Sequence, residues 1–274
     1  TDADNQTLTA TYAWTNLSTN IAFSSTASTL QLTPSSVSPN DVVECSVTVS
    51  DPSGGTATLA ATDTVGNTDP TFLTNATITT TGTQVGDTWT CFASGTDQDD
   101  GALTPTYEWQ DASGTVLGST NTIVLSGSNS TPTEDISCIA TITDGNGASA
   151  TSSASETVSN TAPVFDVSAS LSPTSAVTST LLLCSGTASD ADGDTPTLSY
   201  AWSNANGTTY GSTGNILQLT PSTVSPAETV TCTITATDDQ GNTVESQASV
   251  TVDNTLPTVA VSISTNGTSN TGEL

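Results

Sequence analysis

The segment from Asp135 to Ile142 reads Asp-Ile-Ser-Cys-Ile-Ala-Thr-Ile, so that polar and apolar residues alternate along it. Side chains of a β-strand point to opposite faces in turn, and this alternation predicts a strand with one buried and one exposed face. Residues 229–235, Thr-Val-Thr-Cys-Thr-Ile-Thr, show the same pattern around another cysteine. Both segments therefore predict an antiparallel sheet whose buried face contains a cysteine.

These cysteine-bearing strands belong to an internal repeat with a period of about 93 residues. The cysteines that mark it are separated by 93 and 94 residues and are Cys45, Cys138 and Cys232. A Tyr-x-Trp motif recurs with nearly the same period and ends at Trp14, Trp109 and Trp202. Self-similarity at a fixed period is typical of arrays built from one structural unit.

The composition excludes several classes of function. The 274 residues contain no Lys, Arg, His or Met, and 27 acidic residues give a formal net charge of -27. Without cationic side chains the chain has no means of binding nucleic acid or phosphate. The absence of His and Lys also excludes Ser-His-Asp sites, Schiff bases and His-ligated metals. No apolar run approaches the length of about 20 residues that a membrane-spanning helix requires.

In two of the repeats a further cysteine, Cys91 or Cys184, stands 18 residues before the Trp. The order Cys, Trp, Cys resembles the immunoglobulin-like sandwich, which has these residues on strands B, C and F. The resemblance implies an all-β chain of tandem immunoglobulin-like Greek-key β-sandwiches. It also implies disulfides Cys91–Cys138 and Cys184–Cys232, and hence an oxidising compartment. The alternative for these cysteines is a set of free buried thiols.

The same resemblance places Trp14, Trp109 and Trp202 in the sandwich cores, where strand C carries its Trp. The alternative is that these aromatic rings stack on sugars.

Aligned on the Cys–Trp–Cys pattern, the chain divides into four stretches. We expect a first repeat at 1–69 that lacks strands A and B, and a complete second repeat at 70–161. A complete third repeat is expected at 162–255, and 256–274 is expected to be strand A of a following or neighbouring repeat.

In this division Cys45 has no strand-B partner, and two interpretations are open. In the first, the array continues beyond residues 1 and 274. In the second, the segment Pro257–Ser264 leaves its own chain and completes the first repeat of a neighbouring copy. The continuous array is favoured, because strand exchange would still leave the first repeat without strand B.

Acidic residues cluster where the B–C and F–G loops are expected, at one pole of each sandwich. The predicted ligands are the loop aspartates and the linker asparagines of Asn-Thr-x-Pro motifs, namely Asp2, Asp4, Asp51, Asn67, Asp97, Asp99, Asp144, Asn160, Asp190, Asp192, Asp194 and Asp238. Such an all-oxygen set suits Ca²⁺, which takes 6–8 oxygen ligands. The alternative is turn formation, since Asp side chains readily bond their own backbone.

Together these motifs resemble the tandem cadherin-like and PKD-like immunoglobulin-fold repeats of very large bacterial and archaeal cell-surface proteins. The resemblance implies an extracellular fibre, stalk or surface filament with calcium at its joints. Its partners would be further repeats or copies of the chain, placed end to end, with carbohydrate as an additional partner to consider. The alternatives are an adhesin or carbohydrate-binding module and the accessory repeats of a secreted hydrolase. Acidic pairs that recur in every repeat argue against a single active centre, so no enzymatic activity is expected.

Overall fold

The structure is a computed structural model that describes residue 3 and residues 5–262. The chain divides into two compact units, Thr1–Asn160 and Thr161–Leu274. Every regular element in the described residues is a β-strand. No helix long and apolar enough to cross a membrane occurs in this part of the chain. The unit boundary lies one residue from the predicted junction of the second and third repeats. The four predicted repeat bounds remain predictions.

The first unit contains twelve strands, β1 (Thr9–Asn16), β2 (Ile21–Ala22), β3 (Val42–Ser50), β4 (Thr56–Thr64), β5 (Thr71–Thr80), β6 (Thr88–Asp97), β7 (Gly101–Leu103), β8 (Thr106–Gln110), β9 (Val116–Gly118), β10 (Thr122–Val124), β11 (Asp135–Thr143) and β12 (Ser149–Thr157). The second unit contains seven, β13 (Val164–Ser172), β14 (Ala176–Val177), β15 (Leu181–Ser189), β16 (Thr197–Asn204), β17 (Ile216–Gln218), β18 (Thr229–Thr237) and β19 (Thr243–Asp253). Residues 254–262 form no strand.

The second repeat is a sandwich of two sheets. One sheet has the order β10-β6-β5, with β7 paired to β6, and the other has the order β12-β11-β8-β9. The disulfide Cys91–Cys138 joins the sheets, with its two Cα atoms 6.3 Å apart. Trp109 is fully buried beside this disulfide, and its ring centroid lies 6.5 Å from that of Trp89. This is the immunoglobulin-like arrangement, with β6, β8 and β11 as strands B, C and F.

The third repeat has the same architecture. Its sheets have the orders β13-β15-β17 and β14-β19-β18-β16, and the disulfide Cys184–Cys232 joins them. Trp202 is 1% exposed and packs in the same apolar cluster as the disulfide. The two predicted disulfides and the all-β immunoglobulin-like fold are therefore confirmed.

A glycine on strand B of each sandwich allows close packing against strand F. A Cβ atom added to Gly95 would lie 2.6 Å from Cδ1 of Ile142, and one added to Gly186 would lie 3.0 Å from Cδ1 of Ile234. Both distances are shorter than ordinary van der Waals contact. The glycine therefore makes room for the strand-F isoleucine, which is fully buried in both repeats.

The first repeat has one sheet, with the order β2-β1-β3-β4. By topology these strands correspond to C′, C, F and G, and no described residue forms a second sheet over them. Trp14 is therefore only half-buried. Its placement in a closed core stays a prediction, because the described residues of this repeat do not include the opposing sheet that buries a strand-C Trp. Cys45 is a free, half-buried thiol.

Candidate joint and cation site

The linker between the first and second repeats is hydrogen-bonded to the loops of the second repeat. The backbone N–H and the hydroxyl of Thr68 both donate to Oδ2 of Asp99, each at 2.8 Å. The Asn67 amide donates to Oδ2 of Asp144 at 2.8 Å. The linker thus contacts the B–C loop through Thr68 and the F–G loop through Asn67, and all three segments meet at one pole.

Within this pole the carboxylates also accept hydrogen bonds from their own loops. Buried Asp97 accepts from the backbone N–H groups of Asp99 and Asp100 at 2.7 and 3.1 Å. Oδ2 of Asp100 accepts from the N–H of Gly145 at 2.7 Å, which joins the two loops directly. In the second repeat, hydrogen bonds from the backbone therefore hold these aspartates in their turns and connect the two loops of the pole.

Asp144 illustrates how firmly these loops hold a carboxylate. Its Oδ1 accepts from the N–H groups of Asn146 and Ala148 at 2.9 and 2.8 Å. The Asn67 amide bond and these backbone bonds hold the pKa of the Asp144 carboxyl below its usual range. Hydrogen bonds to an ionised carboxylate favour its charged form.

The third repeat carries the same contact between linker and loop. The N–H of Thr161 donates to Oδ2 of Asp192 at 2.7 Å, and its hydroxyl donates to Oδ1 at 3.0 Å. Asp192 and Asp238 are both buried, with about 5% of each residue exposed. Oδ1 of Asp238 accepts from Gln240 and Asn242 of the F–G loop. The positions of Thr161 and Asp192 match those of Thr68 and Asp99.

The third repeat differs from the second in carrying unpartnered carboxylate oxygens. Oδ2 of Asp190 and Oδ2 of Asp194 are buried and have no hydrogen-bond partner. Burial raises the pKa of the Asp194 carboxyl, and the charges of Asp239, Asp190, Asp192 and Asp238 raise it further. An unpartnered buried charge is costly, and repulsion among carboxylates adds to that cost. This acidic pole therefore has the donor chemistry of a cation site.

Asp51 accepts from the N–H groups of Ser53 and Gly55 in its own turn. Asp2 and Asp4 lie outside the described residues. Asn160 ends the first unit, where its carbonyl accepts a hydrogen bond from the side chain of Gln84. Within the described part of the chain, no three or more acidic or cysteine side chains stand in a metal-binding geometry.

Sequence reasoning missed the roles of the linker threonines. It assigned the linker contact to Asn67 and Asn160, and Thr68 and Thr161 add matching contacts with the loop carboxylates. The signal that could have identified them is the recurrence of Thr in all three Asn-Thr-x-Pro motifs. The predicted ligand set also left out Asp239, whose charge acts on Asp194.

Comparison with known proteins gives structural neighbours only. No protein-family model matches the chain, and no curated protein matches it either. A tetra-tandem repeat from the extending region of a large adhesion protein aligns over 91% of this chain and 67% of that one, at 17% identity and a TM-score of 0.35.

Two further neighbours are adhesin structures. One concerns cell-surface retention of a 1.5-MDa bacterial ice-binding adhesin and aligns over 92% of this chain and 88% of that one, at 16% identity and a TM-score of 0.34. The other is a Ca²⁺-stabilised adhesin of an Antarctic bacterium, aligned over 91% of this chain and 66% of that one, at 16% identity and a TM-score of 0.33. At such identities and TM-scores the likeness assigns no function or ligand to this chain.

Proposed function

We propose that this chain is a segment of an extracellular structural array, a fibre, stalk or surface filament built from tandem immunoglobulin-like sandwiches. One observation carries the proposal. The linker threonine donates twice to the same loop aspartate in two successive repeats, Thr68 to Asp99 and Thr161 to Asp192. A linker that is fixed to the following repeat in the same way each time suits a spacer that must hold its form along its length.

Stretching the full chain by its two ends tests this role. The second and third repeats are expected to resist extension and to unfold as two separate events, because each has its own core and disulfide. A smooth extension without such events would contradict a mechanical role.

We further infer that Ca²⁺ binds at the acidic pole of the third repeat. The residues present fit the ion, because Oδ2 of Asp190 and Oδ2 of Asp194 are buried and unpartnered. Ca²⁺ completes its shell with backbone carbonyls and water, so a site does not need three carboxylates. When bound, the ion would supply the positive charge that this chain, free of Lys and Arg, cannot supply itself. Asp190 and Asp194 would hold it.

Replacing Asp194 with Asn is expected to separate the two roles of this carboxylate. In a chelator the variant should be more stable than the wild type, because one buried unpartnered charge is gone. In excess Ca²⁺ the order should reverse. At a hundredfold excess over Kd, the ion stabilises the wild-type third repeat by about 2.7 kcal/mol, which corresponds to about 10–20 °C in melting temperature. Scanning calorimetry in EDTA and in Ca²⁺ measures both effects.

Asp239→Asn provides the matched control. Asp239 lies at the same pole and carries the same charge, but it is exposed. This variant should keep the response to Ca²⁺, since it leaves both unpartnered oxygens in place. If both variants lose the response equally, the ion acts by general screening of charge and the proposed site is wrong.

A further inference from the structure

The inner face of the first repeat's sheet is apolar and uncovered within the described part of the chain. A cavity of about 450 Å³ opens on it, with Trp14, Val43 and Cys45 among its lining residues. All nine residues of the edge strand β4 are exposed. Among them, Leu59 is 80% exposed on the same face. A face with this chemistry is normally covered by another protein element.

The same face is the established interface between the two sheets in the other repeats. In each repeat a Trp on strand C, a Cys on strand F and an Ala on strand G lie side by side across the sheet. These rows are Trp14, Cys45 and Ala61 in the first repeat, Trp109, Cys138 and Ala154 in the second, and Trp202, Cys232 and Ala248 in the third. In the second and third repeats, strands A, B and E cover this row, and the strand-B cysteine is bonded to the cysteine of the row. The first repeat therefore presents one complete side of this sheet-to-sheet interface.

A second feature of the first repeat indicates which strand would cover this face. Leu30 and Leu32 correspond in sequence to Leu217 and Leu219 of the strand-E region, which are buried. In the third repeat, β17 pairs with strand B. Leu30 and Leu32 are only half-buried and form no strand, although they line the cavity. A strand-E segment that is in place but unpaired indicates that its missing neighbour is strand B.

We propose that this face is a docking surface for a β-strand pair of the same repeat type, an A–B pair whose strand-B cysteine forms a disulfide with Cys45. The occupant is defined by the chain itself. In the second repeat the pair is formed by β5 and β6, with Cys91 on β6. Docking would bury Trp14 and Leu59 and would supply strand E with its partner.

The exposed segment Leu256–Ser262 of a second copy is a poorer occupant. Leu256, Val259 and Val261 are 83–86% exposed, and the segment resembles a strand A. It contains no cysteine, however, and a strand A alone would leave both Cys45 and the strand-E leucines without partners. An A–B pair would provide partners for both Cys45 and the strand-E leucines.

The covalent step is a thiol–disulfide exchange. The Cys45 thiolate attacks the strand-B cysteine while that cysteine is held in a disulfide with a small thiol. The bond between the two protein sulfurs forms as the bond to the small thiol breaks. The small thiol leaves as its thiolate, so the step requires no further oxidant.

A peptide of residues 70–97, with Cys91 activated as a mixed disulfide with thiopyridine, provides the test on the full oxidised chain. Cys45 is the one free thiol among the five cysteines, so the site of reaction is unambiguous. Docking brings the two sulfurs to an effective concentration in the millimolar range, and the peptide should react about tenfold or more faster than a scrambled peptide with the same activated cysteine. Release of thiopyridine measures the rate, and Cys45→Ala is the blank.

A peptide with Cys91→Ser separates docking from the disulfide. It should protect Cys45 from a small thiol reagent and should slow hydrogen exchange in β3 and β4. Equal rates for the native and scrambled peptides would overturn the proposal. It would also be overturned if a peptide of residues 256–274 protected Cys45 as well as the serine peptide, since a second copy would then be the occupant.

Discussion

Replacement of both Cys184 and Cys232 with alanine should lower the free energy of unfolding of the second unit by about 4 kcal/mol. The disulfide closes a loop with a sequence separation of 48 residues, and removing it restores the conformational freedom of that loop in the unfolded chain. Few aromatic residues contribute to this core, so little else offsets the loss. For a unit of about 100 residues the melting temperature should fall by about 20 °C or more.

Calorimetry of the full chain measures this effect. The Cys45→Ala variant is the control, because Cys45 forms no disulfide and its removal should leave the transitions of the second and third repeats unchanged. An unchanged transition in the double variant would show that the disulfide does not constrain this sandwich.

The second large effect is expected at the strand-C tryptophans. Trp202→Ala should destabilise the third repeat by about 3–5 kcal/mol, the range for a buried aromatic residue truncated to alanine. Trp202 is 1% exposed, and its indole N–H donates to the carbonyl of Gly214 at 2.8 Å. Both the packing and this hydrogen bond would be lost. Denaturant unfolding followed by circular dichroism measures the change.

Trp14→Ala is the matched comparison within the same chain. Trp14 occupies the equivalent position and makes the equivalent hydrogen bond, to the carbonyl of Ala27 at 2.9 Å. It is only half-buried, so the truncation should cost less than at Trp202, because less apolar surface is lost from a buried environment. Equal costs at the two positions would mean that the inner face of the first repeat is already covered.

The contrast between these two tryptophans shows how far the sequence could predict the fold. The alternation around Cys138 and Cys232 specifies which side chains share a face, and the resemblance of the Cys–Trp–Cys pattern to the immunoglobulin-like sandwich implied the disulfides that the structure contains. Alternation does not show what lies against that face. The burial of Trp14 depends on a second sheet, and the motif around Trp14 is the same whether or not that sheet is present.

At the acidic poles, too, the sequence was sufficient to predict one part of the structure but not another. Fold topology was sufficient to predict that the B–C loop, the F–G loop and the linker meet at one pole, as Asp99, Asp144 and Thr68 do. It was not sufficient to distinguish a hydrogen-bonded pole from one with unpartnered oxygens. That difference depends on which loop N–H groups reach each carboxylate, and hence on details such as Gly145 donating to Asp100. No such partner reaches Oδ2 of Asp194.

The central claim, an array of separately folded sandwiches that are each secured by a disulfide, is tested most directly by stretching the full chain before and after reduction. In the second repeat the disulfide spans a sequence separation of 47 residues. With the disulfide closed, unfolding releases only the part of 70–161 outside the loop, roughly 45 residues, or about 160 Å of extension. After reduction the whole repeat unravels, and each event should lengthen to about 320 Å. Extension steps that do not change on reduction would contradict the account.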